Sequence, residues 1–161
     1  MKERKSIVTV FALFAVVCML FTACGQDPVA KELQDFANTK MRPVNEQYQK
    51  FSEDYNDITS HTTDYVDYIS STLIPEVDEI ISSVEGIDTE HDEVTDLKEK
   101  YLKVMNGYRS AIQKCADAVA NEDSEGLTSA SKDLQQVAED LDAYNTALKD
   151  LGAKYDMTVI E

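Results

Sequence analysis

The architecture hinges on Asn56-Asp57-Ile58-Thr59-Ser60-His61-Thr62-Thr63-Asp64. Seven of these nine residues are Asn, Asp, Ser or Thr, whose short polar side chains hydrogen-bond the local backbone and favour caps and turns over helix interiors. Read as a turn, the stretch separates helices over 28–57 and 62–85, with further helices over 89–121 and 124–152. Four such helices joined by short connections pack as an all-α, antiparallel up-down-up-down bundle. The alternative follows from the apolar stripe, which runs on in register through Thr62, Tyr65, Ile69 and Leu73. It gives one long, kinked first helix and a packed region of only three helices.

On either side of this stretch the helical period is clear. Asp27-Pro28 is an N-cap followed by proline at the first helical position, where its missing N–H costs nothing. From there Val29, Leu33, Phe36, Ala37, Met41, Val44, Tyr48, Phe51, Tyr55 and Ile58 recur mostly every three or four residues, as one buried face requires. Pro43 removes an interior hydrogen bond and predicts a kink or short break near Lys40. The second helix carries Tyr65, Val66, Ile69, Leu73, Val77, Ile80, Ile81 and Val84, kinks at Pro75, and stops at Gly86, read as a left-handed cap.

The third helix is expected to begin near Thr89, with Glu90, Asp92 and Glu93 complementing its dipole. It turns Val94, Leu97, Tyr101, Val104, Met105, Tyr108, Ile112, Cys115 and Val119 inward and ends at Asn121. The fourth, capped by Asp123 or Ser124, has the most regular seam: Leu127, Ala130, Leu134, Val137, Leu141, Tyr144, Leu148 and Leu151. Gly152 is read as its closing residue. The segment 153–161 contains Tyr155, Met157, Val159 and Ile160 and is expected to lie against the bundle.

Upstream, Lys2, Arg4 and Lys5 precede an apolar run from Ile7 to Phe21, the pattern of an export signal. The junction Leu20-Phe21-Thr22-Ala23-Cys24 resembles the lipobox of bacterial lipoproteins, with Phe21 where that family usually has Leu. The resemblance implies cleavage between Ala23 and Cys24, a diacylglycerol and possibly an N-acyl chain on Cys24, and no other cofactor. Residues 1–23 are then a removed signal peptide, 24–27 a lipidated linker, 28–152 the bundle and 153–161 a C-terminal tail. It also implies the extracytoplasmic face of a bacterial cell membrane, or an outer membrane in a Gram-negative host, since Gly25 and not Asp follows the cysteine. An uncleaved anchor is the other reading, although the 17 residues from Ile7 to Ala23 are at the short end of the ~17–25 that span a bilayer. Two acyl chains suffice for stable attachment. The body is similar to small helical lipoproteins of Gram-positive bacteria that carry no assigned activity. That likeness rests on kinked amphipathic helices, Ile74-Pro75-Glu76 and Leu148-Lys149-Asp150-Leu151, and it supplies no functional residues.

Charge narrows the partners. The whole chain has 15 basic and 31 acidic residues; the leader holds three and one of them, so the remainder has a formal charge of −18. Nucleic acid needs clustered Lys and Arg and is excluded. A basic protein, a wall polycation or a divalent cation would be attracted. With Cys18 in the leader and Cys24 acylated, Cys115 is left alone without a disulfide partner. On an apolar stripe it is expected to be a buried, inert thiol.

Catalytic signatures are absent from the sequence. No Glu-x-x-His pair, tetrahedral Cys/His set, calcium loop, glycine-rich phosphate loop or Gly-x-Ser-x-Gly occurs. Asp57 with His61, and Asp88 with His91, have helical spacing but lie beside turns, which favours capping or solvation. Asp64 with Asp67 and Glu76 with Glu79 read as solvated faces. Tyr48, Tyr55, Tyr65, Tyr101, Tyr108 and Tyr144 fall on or beside the inward stripes and read as core; a tyrosine-lined pocket with Thr59 and Thr62 is the alternative. The expectation is a non-enzymatic, lipid-anchored helical module that binds an envelope protein or wall component, the alternative being a bundle that binds a small ligand or cation.

Overall fold

The structure is a computed structural model, and it describes residues 20–22 and 27–160. Helix α1 covers 28–57, α2 covers 65–85, α3 is Asp92–Ala120 and α4 is Ser124–Lys154. The stretch at 56–64 is a turn. A single 3-10 turn, Ile58–Ser60, tightens the end of α1, His61 leaves the helical region at φ −93° and ψ 50°, and Tyr65 restarts the chain in the opposite direction. Ser60 Oγ donates to Asp57 Oδ1 at 2.8 Å, the local bonding that its composition favours. The long, kinked first helix is thereby overturned, and the four helices form an antiparallel bundle.

Pro43 and Pro75 lie three and two residues after a π turn. In α1 the α-helical segments Pro28–Asp35 and Met41–Asp57 flank the π turn Phe36–Lys40, where Met41 N–H donates to Phe36 C=O. In α2, Tyr65–Tyr68 and Ile74–Glu85 flank the π turn Ile69–Leu73, where Ile74 N–H donates to Ile69 C=O. The extra residue in each turn moves the ring of Pro43 or Pro75 away from the carbonyl it would strike. In α1 it also accounts for the step of five between buried Phe36 and Met41.

Helix ends depart from the glycine pattern expected of them. Gly86 is right-handed, at φ −69° and ψ −7°, and no described glycine has positive φ. Gly152 is buried inside α4, which continues to Lys154. The left-handed positions are Glu122 (φ 53°) and Asp156 (φ 51°). Each is followed by a six-to-one bond, Asp123 N–H to Ala118 C=O at 2.8 Å and Met157 N–H to Gly152 C=O at 2.9 Å, the signature of a Schellman cap. Helix α3 starts three residues later than Thr89, because Glu90 and His91 are drawn onto Glu32 of α1. Asp27 caps α1 and Asp123 caps α4, each accepting two backbone N–H groups.

The core is continuous through all four helices and, among the described residues, no polar or charged residue is buried. Phe51 and Tyr55 of α1 meet Tyr108 of α3 with ring centroids 5.7 and 6.3 Å apart, and Tyr101 of α3 meets Tyr144 of α4 at 5.2 Å. These edge-on pairings are the favoured aromatic geometry. Helices α3 and α4 come close at Gly107, which presents no side chain to Val137: a Cβ there would lie 2.7 Å from Val137 Cγ2. Ala118 is buried on α3, while Val119, expected inside, is half-buried. Beyond α4, Met157 is buried, as expected for this segment, and Leu20–Thr22 pairs antiparallel with Thr158–Ile160.

Candidate functional site

The two residues that carry the clearest sequence signal, Ala23 and Cys24, lie outside the described residues. Among the described residues no helix is long and apolar enough to cross a membrane. The remaining candidates separate into the two ends of the bundle, the α1–α2 seam and a groove between α3 and α4.

At the 58–64 end, His61 Nε2 lies 3.5 Å from Asp57 Oδ2, but its hydrogen-bond partner is Asp64, Nδ1 to Oδ2 at 3.0 Å. Its ring stacks on Tyr68 with centroids 3.6 Å apart and planes 9° from parallel. Tyr68 in turn donates its hydroxyl to the Asp54 carbonyl at 3.1 Å. His61 is therefore a turn-stabilising residue, as its position suggested. Thr59 and Thr62 are exposed and do not join the buried tyrosines.

At the opposite end His91 is joined to Glu32 and not to Asp88. The Glu32 carboxylate accepts the backbone N–H of Glu90 at 2.5 Å and of His91 at 3.0 Å, and meets His91 Nδ1. Burial pushes this carboxyl up, but those hydrogen bonds outweigh it and hold Glu32 below the usual range. Lys98 Nζ donates to the carbonyls of Glu85 (2.9 Å) and Ile87 (2.7 Å), and Lys40 Nζ to that of Asp88 (2.7 Å). The connection 86–91 is thus fastened by three charged side chains from two helices. None of these pairings has a local spacing by which the sequence could show it.

Cys115 is buried, 3.2 Å from the Tyr65 hydroxyl, and burial pushes its thiol up. Tyr48 and Tyr108 bond to each other through their hydroxyls, and burial raises both. These tyrosines fill the interior, as their stripe positions implied. In the α1–α2 seam Lys50 bridges Asp54, at 2.9 Å, and Glu76. Burial pushes Glu76 up, while Asp54 beside it is held down by Glu76 and Lys50. Glu76 is not the solvated residue expected: its side chain is 13% exposed. Glu79 is exposed and accepts from Gln47 Nε2 at 3.1 Å. Among the described residues no group of three or more His, Cys, Asp or Glu side chains could hold a metal ion.

The groove lies between the first half of α3 and the last half of α4, beside the chain that leaves α4. It encloses about 310 Å³ over a floor of Leu97, Ala147 and Leu151, rimmed by Glu93, Asp96, Lys100, Asp150 and Lys154. Lys154 and the Tyr155 hydroxyl (2.9 Å) both engage Glu93 and hold its carboxyl below the usual range. An apolar floor with charges of both signs at the rim is a surface that can seat a side chain of another protein. Nothing in the sequence marked it, because Leu97 and Leu151 belong to the inward stripes; in the fold Leu97 is buried beneath the groove, while Leu151 and Ala147 are half-buried along it. Comparison with protein-family models, curated proteins and solved structures found no match to this chain.

Proposed function

We propose that this chain is a lipid-anchored, extracytoplasmic, non-enzymatic helical module that binds an envelope protein or a wall component through its outer surface. The observation that carries the reading is the contrast between a core closed with apolar and tyrosine side chains and an apolar-floored groove opened on the α3–α4 face. Recognition in such a body falls to the surface. The Leu20 to Cys24 junction supports the tether, and the formal charge of −18 favours a basic partner.

Photo-crosslinking in living cells tests the binding role. A photoreactive residue in place of Ala147, in the groove, is expected to yield a discrete adduct that the same residue at exposed Ser110 does not. Equal labelling at both positions, or at neither, removes the groove as the binding surface. The tether has its own test: Cys24→Ala should release the protein from the membrane fraction, and retention at the mature mass would overturn lipidation.

The cation-binding alternative draws on one observation. Gln47 Oε1 and Glu76 Oε2, both in the α1–α2 seam, are buried acceptors that receive no hydrogen bond. A calcium-dependent rise in melting temperature that Glu76→Gln abolishes would favour it over the first reading.

A further inference from the structure

We propose that Thr158–Ile160 is a docking strand for the last residues of the leader, and that this pairing slows cleavage between Ala23 and Cys24. The inference rests on the lipoprotein reading above. Its basis is the antiparallel ladder in which Leu20 is opposite Ile160, Phe21 opposite Val159 and Thr22 opposite Thr158.

The topology brings the two segments together. Four antiparallel helices return the end of α4 to the end at which α1 begins. There the left-handed Asp156, the 2.9 Å bond from Met157 N–H to Gly152 C=O and the buried Met157 fix where the following strand starts. Thr158, Val159 and Ile160 are three consecutive β-branched residues, which suits an extended strand. Thr22 is two residues before Cys24, so the ladder covers the run leading directly into the cleavage junction.

A peptidase that takes its substrate as an extended chain uses the same backbone N–H and C=O groups as a neighbouring strand. While Leu20 to Thr22 are paired with Thr158–Ile160, the groups on the paired edge are committed and the strand is held against the body, where a peptidase cleft cannot close around it. The reaction is simple hydrolysis: water adds across the Ala23–Cys24 amide, Ala23 leaves as a carboxylate, and Cys24 keeps the amine. A ladder of three residue pairs is marginal by itself, so it sets the fraction of precursor open to the peptidase and does not lock the junction. Removal of the leader then dissolves the ladder, which makes it a property of the precursor alone.

Pulse-labelling of the full chain in growing bacteria, with conversion of precursor to mature form followed by mass, tests this. Val159→Pro, and separately deletion of 158–161, should each speed conversion roughly fivefold, because cleavage of a transiently open segment follows its open population. Val159→Thr, which keeps a β-branched residue in the strand, should convert at the wild-type rate. Helical circular dichroism and melting of the bundle should be unchanged in all three. Conversion of both Val159→Pro and the deleted chain at the wild-type rate overturns the inference. A wild-type chain that is never shortened, with Cys24→Ala fractionating identically, overturns the lipoprotein reading itself and this inference with it.

Discussion

Glu32 accepts the backbone N–H of His91 at 3.0 Å and meets the ring Nδ1 of the same residue, closing a contact between residues 59 apart in the chain. One carboxylate thereby satisfies the N–H groups of Glu90 and of His91, the residue that precedes the first turn of α3 and itself makes no side-chain cap.

The Glu32 carboxyl is held below its usual range in the fold, so its contribution is present above the unfolded value of about 4.3 and is lost as pH falls through the lower folded value. Glu32→Gln should therefore lower stability at pH 7 by about 1–2 kcal/mol. The gap to wild type should close on acidification below about pH 4. Thermal melts of both proteins between pH 7 and pH 3 check this; a gap independent of pH would assign the effect to packing and not to charge.

Gly86 and Glu122 make opposite predictions. A Cβ on Gly86 would meet nothing closer than 3.5 Å, and its φ is right-handed, so Gly86→Ala should be neutral or stabilising by up to about 1 kcal/mol. Glu122, at φ 53°, bears a side chain where glycine is at ease, and Glu122→Gly should add about 0.5–1 kcal/mol. Chemical denaturation measures both, and a large loss in Gly86→Ala would restore the left-handed cap at that position.

Gly107→Ala places a methyl group 2.7 Å from Val137 Cγ2. Despite the better helix propensity of alanine, a loss of about 1–3 kcal/mol is expected as α3 and α4 are forced apart. Val137→Ala should recover part of that loss in the double variant, giving a coupling of opposite sign to the single effects. Additive losses would show that the two residues do not meet.

Cys115 should resist alkylation in the native protein at pH 8, since burial keeps the thiol protonated and covered. Labelling followed by mass spectrometry should show reaction rising by orders of magnitude only across the unfolding transition. Rapid native labelling would mean that the Tyr65 end of the core opens.

Much of this was legible before the structure. The polar run at 56–64 carries its own turn chemistry, and the stripe of α4 from Ala130 to Leu148 is buried where its spacing places it. Pro43 marked an irregularity near Lys40, and the π turn Phe36–Lys40 is the form it takes. Glycine misled: Gly86 looked like a left-handed cap and Gly152 like the end of α4, because no local pattern shows that Glu122 and Asp156 take the left-handed conformation. The Glu32–His91, Lys40–Asp88 and Arg109–Asp78 (2.5 Å) contacts were illegible for a simpler reason. They join a helix to the connection 86–91 or to another helix, and only the packing of the bundle fixes which side chains face each other. The groove falls in the same class, since its floor uses residues that sequence periodicity assigns wholly to the core.

The close approach of α3 and α4 also bears on the order of folding. Their connection, 121–123, is the shortest in the bundle and is braced on both sides, by a Schellman bond from Asp123 and by the Asp123 cap. Closing this hairpin costs the least loop entropy, and Gly107 against Val137 supplies tight contact as soon as it closes. The hairpin should therefore be the nucleus onto which α1 and α2 condense. Kinetic φ-values near Val137 and Leu141 should exceed those at Phe36 and Val44 in α1. Equal values along both would describe a bundle that nucleates without a preferred pair.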